Sequence, residues 1–156
     1  LFYGIGGQGI LKASELSGQA ALLSGFHVKK SEVHGMAQRG GSVESHLRFG
    51  KRVFSPLIPK GEADFLVPFY EGEYGRLKNF LKHKGIDLIF SLRKAEKELA
   101  DKRFINTYIV GVLSLYLPIK EKGWIKAIDI VFKGRMVNEN RSILLKARKL
   151  NLKRGG

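Results

Sequence analysis

The residues with chemical potential gather in two glycine-rich segments. The first is Gly4-Ile5-Gly6-Gly7-Gln8-Gly9, which fits the spacing G-x-G-x-x-G at Gly4, Gly6 and Gly9. It follows the apolar run Leu1-Phe2-Tyr3 and opens a helical pattern of Ile10, Leu11, Leu16, Ala20 and Leu23. Such a turn can bind phosphate, because glycines let the backbone approach an anion and the helix N-terminus presents unpaired N–H groups. A tight strand-to-helix turn without a ligand makes the same demand on sequence. The second segment, residues 31–42, contains Ser31, Glu32, His34, Gly35, Gln38, Arg39, Gly40, Gly41 and Ser42. Its glycines permit positive φ and close approach. Arg39 beside Gly40-Gly41 could clamp a phosphate or a carboxylate with its fork of donors. A long loop whose polar side chains satisfy one another is the alternative. The two segments read as two walls of one site.

Two familiar chemistries fit poorly. A dinucleotide site wants an acid at the tip of the second strand for the ribose hydroxyls. Here Phe26-His27-Val28 ends in Lys29-Lys30, a basic pair that suits a phosphate better. His34 and His46 have no cysteine or acidic cluster to complete a metal site, so no metal ligand is assigned.

The elements that must position these residues follow from periodicity. A helix is predicted from about Gln8 to Leu23, with Gly25 as its stop, and a strand over Phe26 to Lys30. Residues 43–49 alternate, with Val43, Leu47 and Phe49 on one side and Glu44, His46 and Arg48 on the other. Gly50-Lys51 reads as a turn into a strand at Arg52 to Ser55. Ala63 to Phe69 and Ile86 to Ser91 read as buried strands, Glu71 to Lys84 as a helix ended by Gly85, and Arg93 to Phe104 as another helix. Asn106 is expected to cap a helix reaching Leu117, with Gly111 and Ser114 allowing close packing. Helices are also predicted over Trp124 to Phe132 and Asn138 to Leu150, the last with an apolar face of Leu144, Leu145 and Leu150, followed by a basic tail over 151–156. The pattern implies an α/β fold: a three-layer α/β/α domain over 1–150, with a mixed, mostly parallel sheet and a helical C-terminal part.

Composition narrows the function classes. The chain has 156 residues, 44% of them hydrophobic, and no cysteine. Disulfides, thiolate-held clusters and a cysteine nucleophile are therefore absent from it. No run approaches the ~20 apolar residues of a membrane span, and the apolar start breaks at Gly4, unlike a signal peptide. A cytoplasmic location is the expectation. The net charge is +14, of which residues 1–50 carry only +2. That field favours polyanions, but the basic residues are interspersed with acidic ones, and no RNP, KH or helix-turn-helix signature is present. A solvated Lys-rich surface explains most of them.

The stretch Gly4 to Leu11, followed by Ser31 to Val43, resembles the gamma subunit or domain of the 2-oxoacid:ferredoxin oxidoreductases, and within them the small (beta) subunit of the indolepyruvate enzymes. Matching wording continues at Ser45-His46-Leu47-Arg48-Phe49-Gly50, Gly61-Glu62-Ala63-Asp64, Asn106-Thr107 with Gly111, Leu117-Pro118-Ile119, and Phe132-Lys133-Gly134 with Asn140. The likeness is densest before residue 65. The chain departs from the family between Ser91 and Asn106, where a strand, or a strand and a helix, is expected to be missing.

The resemblance implies a subunit, inactive alone, of an enzyme that oxidatively decarboxylates a 2-oxoacid such as an aryl pyruvate, transferring the acyl group to coenzyme A and electrons to ferredoxin. Thiamine diphosphate and 4Fe-4S clusters would lie on an alpha-type partner subunit, which agrees with the lack of cysteine. No cofactor would be held tightly by this chain, and coenzyme A would be its co-substrate. The binding residues implied are Gly4, Gly6, Gly7, Gln8, Gly9, Lys30, Ser31, Glu32, His34, Gln38, Arg39, Gly40, Gly41 and Asn106. No catalytic residue is assigned. The alternative is a basic nucleic-acid- or nucleotide-binding module without catalysis; the nucleic-acid form leaves the paired glycine loops unexplained, and the missing acidic ribose partner counts against the nucleotide form.

Overall fold

The structure is a computed structural model that describes residues 1–36 and 40–152. The chain runs β1 (Phe2–Ile5), α1 (Ile10–Leu23), β2 (His27–His34), β3 (Ser42–Gly50), β4 (Ala63–Pro68), α2 (Tyr74–Leu77) between two 3-10 turns, β5 (Leu81–Asp87), α3 (Ile89–Glu98), α4 (Ile105–Leu113), α5 (Glu121–Val131) and α6 (Met136–Leu152). The five strands form one mixed sheet in the order β2-β3-β1-β4-β5. β1, β4 and β5 are parallel neighbours, and β3 alone runs against the others. The expected α/β fold with a mixed sheet and a helical C-terminal part is the observed one.

One face of the sheet is covered by α1 and the C-terminal helices. Phe2, Val43, Val67, Leu16, Tyr108, Ile109, Trp124, Ile128 and Leu144 are buried there. The other face carries a smaller cluster of Leu1, Tyr3, Ile58, Ala63, Leu66 and Leu77. α1 stops as the sequence demands: Gly25 takes φ 85°, its N–H donates to Leu22 O, and Phe26 N–H donates to Ala21 O. That is the paired closure that only glycine enters without strain. α4 and α6 pack closely, because a Cβ on Gly111 would lie 2.7 Å from Ala147 Cβ and 2.9 Å from Leu144 O.

Several expectations are corrected. Ser31 to His34 belong to β2, paired through to His34↔Val43, and are not loop. The backbone of β3 supplies the ladder, and pairing outweighs the small polar composition of the segment. β3 makes its hairpin with β2; residues 51–62 hold no strand. They cross the second face instead, where side chains of β2 and β3 satisfy them. Val53 N–H donates to His27 Nδ1, Ile58 N–H to His46 Nδ1, and Arg48 Nη1 donates to the carbonyls of Ser55 and Leu57. The predicted helix over 71–84 breaks at Phe80, because Leu81 pairs with Ala63 and Ile86 with Phe65. Gly85 therefore sits in an irregular strand, where a Cβ would lie 2.9 Å from Ala63 O, and does not end a helix. Ile89 to Ser91 begin α3 rather than extending a strand, and α6 runs on through Asn151 and Leu152, into the predicted tail. On α6, Leu144 is buried, whereas Leu145 and Leu150 are exposed.

The second face of β3 holds charge. Glu44 and His46 are buried. Arg76 Nη1 donates to Glu44 Oε1 at 2.5 Å, and its other nitrogens donate to Glu73 Oε2 and Ser42 Oγ. Ser42 Oγ in turn donates to Glu73 Oε2 at 2.8 Å. Since His46 Nδ1 accepts from Ile58, its Nε2 carries the proton, and it lies 3.4 Å from Glu44 Oε2. The His46 hydrogen bond, then Arg76, hold the Glu44 carboxyl below the ordinary carboxylate range against its desolvation.

Two outcomes follow. Gly111→Ala forces α4 away from α6 and should lower stability by about 1–3 kcal/mol, read as a fall in unfolding temperature. Glu44 has a depressed folded-state pKa, so its contribution is present above the ordinary value of 4.5 and is lost as pH falls below it. Glu44→Gln should therefore destabilise the protein at neutral pH by about 1–3 kcal/mol and flatten the acid limb of its unfolding temperature against pH. An unchanged acid limb would show that the network contributes nothing.

Candidate functional site

The glycine loop lies at the C-terminal end of β1, where a strand hands over to α1. A side chain on Gly4 would sit 2.6 Å from Gln8 Oε1, which accepts the Ile5 N–H at 2.9 Å. Gly7 and Gly9 take φ of 94° and 76°, the left-handed region that favours glycine. Gly9 stands at the N-cap of α1 with no side-chain cap, and the first turn of α1 carries no acid. Gly9 O accepts from Ala13 N–H, but the N–H groups of Ile10, Leu11 and Lys12 donate to no described acceptor. This is an uncapped helix N-terminus, with its partial positive charge, behind a glycine turn.

Asn106 closes the loop from the side. It lies at the second residue of α4, not at the cap, and is about nine-tenths buried. A Cβ on Gly9 would sit 2.5 Å from Asn106 Nδ2, so only glycine fits there. Asn106 Oδ1 accepts from the Thr107 N–H at 2.8 Å. With the oxygen committed, the amide must present its NH2 to Gly9, and Nδ2 makes no hydrogen bond to a described residue. Gln8 is fixed the same way: Oε1 is used by Ile5, leaving Nε2 as donor. The loop is therefore lined by donors, the pattern that takes an anion.

The second segment meets the first through its glycines. Gly6 N–H donates to Gly41 O at 3.0 Å, and a Cβ on Gly6 would stand 3.7 Å from Gly40 N. Gly35 N–H donates to Ser42 O at 2.7 Å. His34, level with Val43 and Gly4, lies two strands across, about 10 Å away at ordinary strand spacing. Gln38 and Arg39 lie outside the described residues.

Lys30 does not join the loop. It pairs with Leu47, whereas Gly41 is beside Gly6, which separates them by roughly 20 Å along β3. Its Nζ lies 3.0 Å from Glu32 Oε1, and Glu32 Oε2 is 3.8 Å from His34 Nε2. Lys30 and Glu32 thus neutralise each other on an edge strand. Ser31 is level with His46 on the opposite side of that strand from Lys30. The structure brings together Gly4, Gly6, Gly7, Gln8, Gly9, Gly40, Gly41 and Asn106, with His34 at the rim.

Sequence reasoning missed the residues that brace this arrangement. Thr107 Oγ1 donates to Asn140 Oδ1 at 2.5 Å, and Asn140 Nδ2 donates to Met136 O. Ser42, Glu73 and Arg76 tie the second segment to α2. Thr107 and Asn140 stood in the matching family wording without a role assigned to them, and nothing in the sequence pointed to Glu73 and Arg76. Among the described residues no group of three or more His, Asp or Glu could hold a metal ion. A cavity of about 750 Å³ lies at the other end of the sheet, bounded by Leu1, Phe49, Val53, Phe65 and Leu117. Of its charged lining residues, Lys82 is paired with Asp64 and Arg48 donates to loop carbonyls, while Arg52, Lys60 and Glu62 also border it.

Residues 1–93 match the family model described as pyruvate ferredoxin/flavodoxin oxidoreductase. Indolepyruvate oxidoreductase subunit IorB of Thermococcus kodakarensis is 48% identical over 83 residues, covering 53% of this chain and 41% of that protein. The subunit of the same name from Archaeoglobus fulgidus is 46% identical over 91 residues, 58% of this chain and 44% of that protein. The match thus spans less than half the length of these curated relatives. Among solved structures, the keto/oxoacid ferredoxin oxidoreductase gamma subunit of Geobacter sulfurreducens superposes with a TM-score of 0.73 at 19% identity, covering 97% of this chain and 96% of that one. Pyruvate oxidoreductase subunit PORC of Thermotoga maritima gives 0.73 at 20% identity, over 94% and 92%. At that identity the likeness concerns the fold alone. With the family model covering well over half of its residues, this chain belongs to the pyruvate ferredoxin/flavodoxin oxidoreductase family.

Proposed function

We propose that this chain is the non-cluster subunit of a cytoplasmic 2-oxoacid:ferredoxin oxidoreductase acting on indolepyruvate or another aryl pyruvate, and that its glycine loop holds a phosphate of coenzyme A. The observation that carries the second part is the set of donors left without a described partner on this loop, the uncapped α1 N–H groups, Asn106 Nδ2 and Gln8 Nε2, with no carboxylate in the first turn. Coenzyme A offers phosphate and diphosphate oxygens, which are acceptors only. The identity to IorB subunits supports the choice of 2-oxoacid.

In this reading the chemistry at the oxo group, supplied by thiamine diphosphate and 4Fe-4S clusters, belongs to an alpha-type partner subunit, which passes electrons on to ferredoxin. This chain orients the acyl acceptor. Its hydrogen-bond donors hold the phosphate end and give no proton to the reaction. No helix among the described residues is long and apolar enough to cross a membrane.

Two measurements test this. Purified anaerobically from its own cells, the chain should come down with a larger, cysteine-rich, brown partner that carries indolepyruvate:ferredoxin activity. A colourless chain bound to nucleic acid would instead favour the basic binding module. In the assembled enzyme, Asn106→Ala removes one hydrogen bond to a charged group and should raise the KM for coenzyme A roughly tenfold or more, with kcat close to wild type. Lys30→Ala should leave that KM unchanged, and a rise equal to that of Asn106→Ala would relocate the site to β2.

A further inference from the structure

Asn106 cannot orient itself. A primary amide turns about its last bond with a broad, roughly two-fold preference, so its direction is set by partners. The partner here is the backbone N–H of Thr107, in the first turn of α4. That turn is in turn fixed to another helix. Thr107 Oγ1 has one proton, and its close partner is Asn140 Oδ1 at 2.5 Å; the Asn106 Oδ1 contact is longer, at 3.4 Å. Asn140 is 1% exposed, and its Nδ2 donates to Met136 O at 2.7 Å, which fixes its own amide with Oδ1 toward Thr107. The chain of bonds runs from the start of α6, through a buried carboxamide and a buried hydroxyl, to the turn that aims Asn106 at Gly9. Neither Thr107 nor Asn140 touches the loop.

Packing alone does not require these groups. Thr107 is 1% exposed within an apolar core, where valine would fill the same volume. A buried pair of polar side chains is retained at a cost unless every member is satisfied, and here each one is. We propose that Thr107 and Asn140 are positioning residues that hold Asn106 Nδ2 as a donor to the anion in the glycine loop. The inference rests on the coenzyme A reading above.

The test uses the assembled oxidoreductase, with Thr107→Val and Asn140→Ala each made in the wild-type chain and in Asn106→Ala. In the wild-type background Thr107→Val should raise the KM for coenzyme A roughly fivefold, the equivalent of one net hydrogen bond, with kcat held and Thr107→Ser restoring the wild-type value. In the Asn106→Ala background neither substitution should raise KM further, because the group they position is gone. Additive increases in that background, or a lower kcat with no change in KM, would overturn the positioning role. If Asn140→Ala does not fold, Thr107→Val alone decides, since it keeps the side-chain volume. The two readings fail separately. A raised KM in Asn106→Ala beside a wild-type KM in Thr107→Val overturns the positioning role only. A wild-type KM in Asn106→Ala overturns the coenzyme A reading and this inference with it.

Discussion

The site depends on one absence: there is no room for a β-carbon on Gly9. Its φ of 76° already favours glycine, and Asn106 Nδ2 would lie 2.5 Å from any Cβ placed there. These constraints reinforce each other. The left-handed turn lets β1 hand over to α1 without a capping side chain, so the N–H groups of that helix stay open. The missing Cβ lets a side chain from α4, far along the chain, reach the same spot. The helices of the larger face are therefore held to a register set at the glycine loop. α4 must present Asn106, and α6 must then lie close enough to α4 that Gly111 meets Ala147.

The second wall is held by different forces. Gly41 O is bound by the Gly6 amide, and the next residue, Ser42, enters the Arg76–Glu73–Glu44 network. Arg76 is half exposed on its outer side, but its donors are spent on two carboxylates and a hydroxyl. It is a clamp on the end of β3 and contributes no free cation to the loop. The same holds for Lys30 and Glu32. Although the chain carries +14, the described side chains nearest the loop are amides and paired ions.

How much of this the sequence revealed depended on how local the cause was. The β1–loop–α1 unit and the stop at Gly25 were legible, because glycine spacing and helical periodicity are local. Burial of the second face of β3 at Glu44 and His46 was not: they alternate with Arg48 as solvent-facing residues would, and it takes the loop over residues 51–62 and Arg76 of α2 to cover them. The helix predicted over 71–84 failed because β4 recruits Leu81 and Ile86 as strand partners. A tertiary pairing overrides local propensity. Lys30 was grouped with the loop by nearness in sequence, whereas β2 and β3 run as a ladder that carries it to the far end. Asn106 was identified by its family wording, but its contact with Gly9 is a long-range fact.

A site made of amide donors has a consequence that a site made of cations does not. Arginine or lysine attracts an anion through water over a Debye length. Amide N–H groups act only at contact, and they are strong only where water is excluded and the local dielectric falls. The glycine loop stands at an open end of the sheet, with Gly6 and Gly7 exposed on its outer side. In that setting each donor competes with water, and its net worth is small. A surface that covered the loop would strengthen every one of these bonds together without adding a new one. The architecture therefore suits a chain whose ligand is held well only in an assembly, and it gives a physical reason for a binding element of this kind to reside on a subunit that does not work alone.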